Sequence, residues 1–250
     1  MFAIYKKELR SYFINPIGYI YVGIFLAVAA LLCCATTILS GSYSIAPYFL
    51  YMLFAFIILI PLLTMRLFSE ERKLRTEQLL LTAPVTLTGM VLGKFFAALT
   101  LFASSLLLSC INFIPLYAIA AAERTGTGSD ADLFHIGPVT AELVGCVVAL
   151  FLVGAAFIAI GTFISSLTEN QLAAAVITIA VIAAMVGIGF LGNLVDAYWL
   201  RAVLSFISVY ARFSNFSNGL FDFAAIVYYL SLAFVFLFLT VRVYEKRRWN

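Results

Sequence analysis

The chain has 250 residues, 64% of hydrophobic types and 11% charged, with a mean hydropathy of +1.10 and a net charge of +3. Soluble domains are about half apolar and a quarter charged, and a water-soluble fold of this length has no means of hiding so much apolar side chain, because its surface still needs polar cover. The composition therefore excludes a soluble enzyme and asks for lipid as solvent, while the small, unevenly placed charge gives no reason to expect nucleic-acid binding.

Residues 1–15, MFAIYKKELRSYFIN, interleave Lys6, Lys7, Glu8 and Arg10 with Phe2, Ile4 or Tyr5, Leu9 and Phe13 at helical spacing. This predicts an amphipathic elbow helix lying in the cytoplasmic interface; a plain basic flank that orients the first span is the simpler alternative. Pro16 disfavours helix at Asn15 and turns the chain into the membrane. The apolar run that follows is longer than the roughly 7–15 residues of a signal-peptide core, so it is expected to be retained.

A spanning helix needs about 20 mainly apolar residues. Six segments qualify: 17–39, 45–65, 95–121, 143–167, 172–191 and 223–241. Lipid offers no partner for backbone polar groups, so these runs are expected to be helices. The short alternating strands of a transmembrane barrel do not occur. The expected fold class is an all-α polytopic membrane protein forming one transmembrane domain.

Between the second and third spans lies a cytoplasmic loop, 70–88. Glu70, Glu71, Arg72, Lys73, Arg75 and Glu77 give mixed charge on a helical stretch, Leu79, Leu80 and Leu81 follow, and Pro84 marks a break. Thr86 or Thr88 is placed to cap the next helix. A purely solvated connection has no use for three consecutive leucines, whereas a docking element has.

The outer loop 122–140 is rich in Gly, Ser, Thr and Asp and reads as solvated and flexible. Segment 193–222 mixes Tyr198, Trp199, Phe206, Tyr210, Phe213 and Phe216 with Asp196, Arg201 and Arg212. It is apolar enough to touch lipid and too polar to span, which predicts a re-entrant hairpin in the outer leaflet.

Orientation follows from the basic residues. With six spans, twelve of the 15 Lys and Arg fall on the side of both termini, and only Arg124, Arg201 and Arg212 on the other. The bias predicts cytoplasmic termini.

Catalytic chemistry is sparse. His135 stands alone in the outer loop, near Asp130 and Asp132, and makes a poor metal site. The apolar cores of the spans hold no Asp, Glu or His, which argues against a proton-coupled carrier or an intramembrane hydrolase. Gly89 to Phe95 imitates a phosphate loop, but has three residues between its glycines and Phe95 where Ser or Thr is required. Cys33, Cys34, Cys110 and Cys146 lie in or beside apolar runs and read as small hydrophobes. Hydroxyls within the spans, such as Thr37, Ser105, Thr162 and Ser165, suit helix packing or a lined path, with packing favoured. Gly154 and Gly161 suit close helix approach. No cofactor is expected, and any energy source must be another chain.

The segment FSEERKLRTEQLLLTAPVTLTGMVLGKF resembles the cytoplasmic signature of ABC-2 type permeases, in which a charged stretch leads to a Gly-Thr-x-Glu-x-Leu-Leu core, a Pro, and a Gly-Lys entering the third span. Thr76, Glu77, Leu79, Leu80, Pro84, Gly93 and Lys94 match; Arg75 stands where the family usually has Gly. YKKELRSYFINPIGYIYVGIFL at the N-terminus resembles the gliding-motility-associated branch. The resemblance implies a permease subunit of an exporter, paired with a second permease half and driven by a cytoplasmic ABC ATPase dimer. Arg72, Lys73, Arg75, Thr76, Glu77, Leu79, Leu80, Leu81 and Pro84 would then couple to that ATPase. It also leaves room for an extracytoplasmic accessory membrane protein. The alternative is a membrane anchor or scaffold for an ATPase complex without translocation of its own.

Overall fold

The computed structural model describes residues 1–41, 43–73, 86–126, 139–191, 208–217 and 222–249. Among these the regular structure is entirely helical, and six segments are long and apolar enough to cross a membrane: Pro16–Ile38, Ala46–Lys73, Leu87–Ala121, Thr140–Leu167, Gln171–Gly189 and Phe223–Arg248.

A short helix, α1 (Phe2–Ile14), precedes the spans. Asn15 is extended, with φ −82° and ψ 145°, and Pro16 opens α2 (Pro16–Cys33). The pyrrolidine ring drives the preceding residue out of helical conformation while its own φ suits a first helical position. The corner between α1 and α2 is thus written locally. Helix α2 continues through a π turn, Cys34–Ile38. Then come α3 (Ala46–Thr64), a turn, and the five-residue α4 (Ser69–Lys73). Helix α5 (Leu87–Ser109) passes through a 3-10 turn, Cys110–Phe113, into α6 (Ile114–Gly126). The remaining helices are α7 (Thr140–Leu167), α8 (Gln171–Leu191), α9 (Val209–Ser217) and α10 (Phe223–Trp249).

Helix α7 is the axis of the bundle. Of its apolar window 67% is buried, against 22–28% for α2, α8 and α10. It packs along α10 and also against α3, α5, α8 and α9. Two glycines permit this closeness. A Cβ at Gly154 would fall inside the Phe102 ring of α5, and one at Gly161 would collide with the Thr64 side chain of α3. Small residues let backbones approach where no hydrophobic effect drives helices together. Phe102 then meets Phe25 and Phe56 at centroid distances of 6.1 and 5.2 Å, carrying the contact on to α2 and α3.

The peripheral helices are also strongly apolar but turn much of that surface outward. Tyr19, Ile20 and Leu31 on α2, Leu172 and Val176 on α8, and Phe223 and Phe234 on α10 are all exposed. An apolar surface of that extent fits hydrocarbon and not water. Several hydroxyls within the spans settle their hydrogen bonds one turn back in their own helix, as Ser105 does on Leu101, Thr162 on Ala159 and Thr178 on Ala174.

His135 with Asp130 and Asp132 lies outside the described residues, as does 193–207 of the expected outer segment. Of the rest of that segment, α9 packs on α3, α7 and α8 with Phe213 and Phe216 buried, and the Tyr229 hydroxyl of α10 donates to the Val209 carbonyl at 3.0 Å.

Candidate functional site

The polar residues of the bundle converge at the end that carries both chain termini, around α4. This helix is too short to stabilise itself: a single turn fixes several residues for very few hydrogen bonds. Its neighbours supply what it lacks. The Ser165 hydroxyl of α7 accepts from the backbone N–H groups of Phe68 and Ser69, at 3.1 and 3.2 Å. It thereby satisfies two donors that open the helix and have no partner within it.

Lys94 grips the same helix from the other side. It sits in the second turn of α5 with its side chain only 2% exposed. Its Nζ donates to Glu71 Oε1 at 2.8 Å, to Glu8 Oε1 at 3.2 Å and to the Leu67 carbonyl at 2.8 Å, and lies 5.2 Å from the centroid of the Phe68 ring. An ammonium has three donors, and all three are used. A buried charge is tolerable only when so satisfied. The three side chains bring together α1, α4 and α5, with one positive and two negative charges.

Arg72 completes the attachment. It donates to the Leu167 carbonyl at 2.9 Å and pairs with Glu169 at 3.1 Å. Arg247 of α10 donates to the Ser166 carbonyl at 2.7 Å. The last carbonyls of a helix lack partners and carry its negative end. Two arginines from other elements therefore close the end of α7. Beside them, Arg66 binds Glu70 through two nitrogens, at 2.9 and 2.5 Å.

Within α4 only Lys73 is exposed. Its next residue starts the segment 74–85, which lies outside the described residues and holds Arg75, Thr76, Glu77, Leu79, Leu80, Leu81 and Pro84. Of the residues expected to couple to a partner, the structure thus places Arg72 and Lys73, at the root of that segment. The other side of the gap resumes at Thr86, which stands at the cap position of α5 without a side-chain cap bond.

On α1, Lys6, Lys7 and Arg10 are exposed, and Glu8 turns inward to Lys94. Ile4 is the buried apolar residue of α1, and the Tyr5 hydroxyl lies 3.1 Å from that of Thr100 on α5. Burial and the nearby Glu8 carboxylate push the Tyr12 phenol above its ordinary range, so it stays a neutral hydroxyl.

Sequence reasoning did not find the roles of Lys94, Ser165 and Arg247. Lys94 was legible as a lone cation in an otherwise apolar run, and its two carboxylate partners are 23 and 86 residues away in the chain. Ser165 looks like any other hydroxyl of the spans, so nothing in the sequence sets it apart.

No curated protein matches the chain. The family model described as ABC-2 family transporter protein matches residues 36–244. With six apolar spans, one of them the central axis, and a polar knot at one end, the chain belongs to the ABC-2 family and is a multi-pass membrane component of a transporter.

Proposed function

We propose that this chain is the permease subunit of an ATP-driven exporter and that segment 74–85 couples it to a separate cytoplasmic ATPase. The observation that carries this reading is the anchoring of α4. A loop that only connects two spans gains nothing from a root fixed to α1, α5 and α7 at once, whereas a loop that transmits force needs one. On this reading the end that carries both termini is cytoplasmic, in agreement with twelve of the 15 basic residues falling on that side. Helix α1 is the interfacial elbow, with Lys6, Lys7 and Arg10 toward lipid headgroups, and 193–222 is the outer re-entrant segment. Two permease halves, of this chain or a related one, sit above an ATPase dimer in the cytoplasmic membrane. Mixed charge beside Leu79, Leu80 and Leu81 suits a groove on that ATPase with a polar rim and an apolar floor.

The test is purification of the chain from its own membranes under mild detergent, followed by identification of the accompanying chains and assay of ATP hydrolysis. A nucleotide-binding subunit should co-purify and hydrolyse ATP. Recovery of the intact chain from its native membrane with no ATPase subunit would contradict the reading.

A further inference from the structure

Two hollows meet where α1 turns into α2. One is a polar crevice of about 50 Å³ whose walls include Glu8, Asn15 and Glu70. The other is an apolar cavity of about 320 Å³ bounded by Tyr21, Ile24 and Leu63 among others. They share Tyr12, Ile17 and Arg66 as walls, so the polar crevice lies directly beside the apolar cavity. We propose that this site holds one phospholipid of the surrounding bilayer with a primary-amine headgroup. Its ammonium rests on Glu8 and Glu70, its phosphate on Arg66, and an acyl chain occupies the cavity.

Charge selects the headgroup. The crevice offers two carboxylates and one guanidinium, so a purely anionic headgroup meets Glu8 and Glu70, and a purely cationic one meets Arg66. A zwitterion satisfies both signs. Glu8 and Arg66 each keep a free atom, and the Glu70 oxygens, both engaged by Arg66, can each accept a second hydrogen bond. Lys94 takes Glu8 Oε1, and Glu8 Oε2 has no hydrogen-bond partner among the described residues. Arg66 commits Nε and Nη2 to Glu70, which leaves Nη1 for a phosphate oxygen.

Depth selects the rest of the molecule. Tyr21 and Ile24 lie five and eight residues past Pro16, hence roughly 7–12 Å along the helix from the turn at 1.5 Å per residue. That is where the ester groups and first methylenes lie beneath a headgroup held at the level of α1. Tyr21 is 2% exposed, and its hydroxyl has no hydrogen-bond partner among the described residues. An ester carbonyl at this depth is an acceptor for it. A cavity of this volume falls at the lower end of ligand-pocket sizes.

The experiment uses the full chain, purified with its accompanying subunits and reconstituted in phosphatidylcholine vesicles. The vesicles carry a trace of phosphatidylethanolamine with a photoreactive acyl chain. Illumination should label the peptides covering residues 16–24 and 59–66. Unlabelled phosphatidylethanolamine should compete at least about tenfold better than phosphatidylcholine or phosphatidylglycerol, because methylation removes the N–H donors of the ammonium and glycerol removes the cation altogether. Ile24→Trp, which fills the cavity from its exposed flank, should remove most of the labelling. Ile20→Trp, at the neighbouring exposed position, serves the same purpose if the first variant fails to accumulate. Equal competition by all three lipids would mean ordinary boundary lipid and would overturn the proposal. So would disulfide formation between two copies of Ile24→Cys with the photolabel excluded, which would place a second copy of the chain on this site.

Discussion

The middle of α7 and its terminus-side end are held by different physics. In the middle, Gly154 and Gly161 let α5 and α3 come into contact, and the contact consists of volume: Phe102, Thr64 and the rings around them. No charge takes part. At the end, Ser165, Ser166 and Leu167 hold α4 and α10 through hydrogen bonds from backbone amides and from Arg72 and Arg247. Packing of the first kind is insensitive to polarity and intolerant of added atoms. A knot of the second kind is tolerant of modest changes in size and intolerant of losing one partner, because the remaining groups stay buried with their charge or donor unmet. A transporter has a use for both: a rigid axis, and beside it a polar junction whose bonds have definite alternatives.

Three substitutions sharpen this contrast. Lys94→Met should be the most damaging, since it leaves Glu8 and Glu71 facing each other without their cation; breaking a buried pair in this way costs about 3–5 kcal/mol. Thermal unfolding of the detergent-solubilised chain should show the loss, and Lys94→Met with Glu71→Gln should recover part of it. No loss in the single variant would mean that the ammonium is not the centre of the knot. Gly154→Leu comes next, at about 1–3 kcal/mol from overpacking. Here the remedy is space: Phe102→Ala in the same chain should restore accumulation in the membrane, and no change of charge should do so. If Phe102→Ala fails to rescue, the contact is not set by volume. Ser165→Ala is the mildest, at about 1 kcal/mol for the lost acceptor. It should show chiefly as faster amide hydrogen exchange at Phe68 and Ser69, and unchanged exchange there would remove Ser165 from the knot.

Much of the architecture was legible before the structure, because lipid makes strict demands on sequence. Runs such as 172–191 have to be helices, and Pro16 has to end whatever precedes it. The packing role of Gly154 and Gly161 was legible too, as small residues at helix-facing positions. The knot was legible only in pieces. Glu8, Arg72 and Lys94 are each visible as charges near a membrane boundary, but which of them meet depends on how α1 folds back on α5 and how α4 turns toward α7. Those are contacts between segments up to about a hundred residues apart, and local periodicity carries no information on them. Lys94 belongs to the matched Gly-Lys pair at the start of the third span, yet that match says nothing of Glu8 or Glu71. The coupling residues Glu77 and Leu80 were read from charge, leucine content and resemblance, and they fall within 74–85, outside the described residues.

The central proposal is that 74–85, rooted on the anchored α4, transmits between an ATPase and the spans. The measurement that tests it most directly is ATPase retention and ATP hydrolysis by complexes carrying Glu77→Ala or Leu80→Asp, with the permease present in the membrane at parental level. Truncating one member of a partly buried polar contact costs about 2–5 kcal/mol, so Glu77→Ala should lower retention or hydrolysis more than about tenfold. Leu80→Asp should be worse, because it places an unpaired charge in an apolar contact. Both variants holding the ATPase and hydrolysing ATP at the parental rate would show that this segment is not the coupling element.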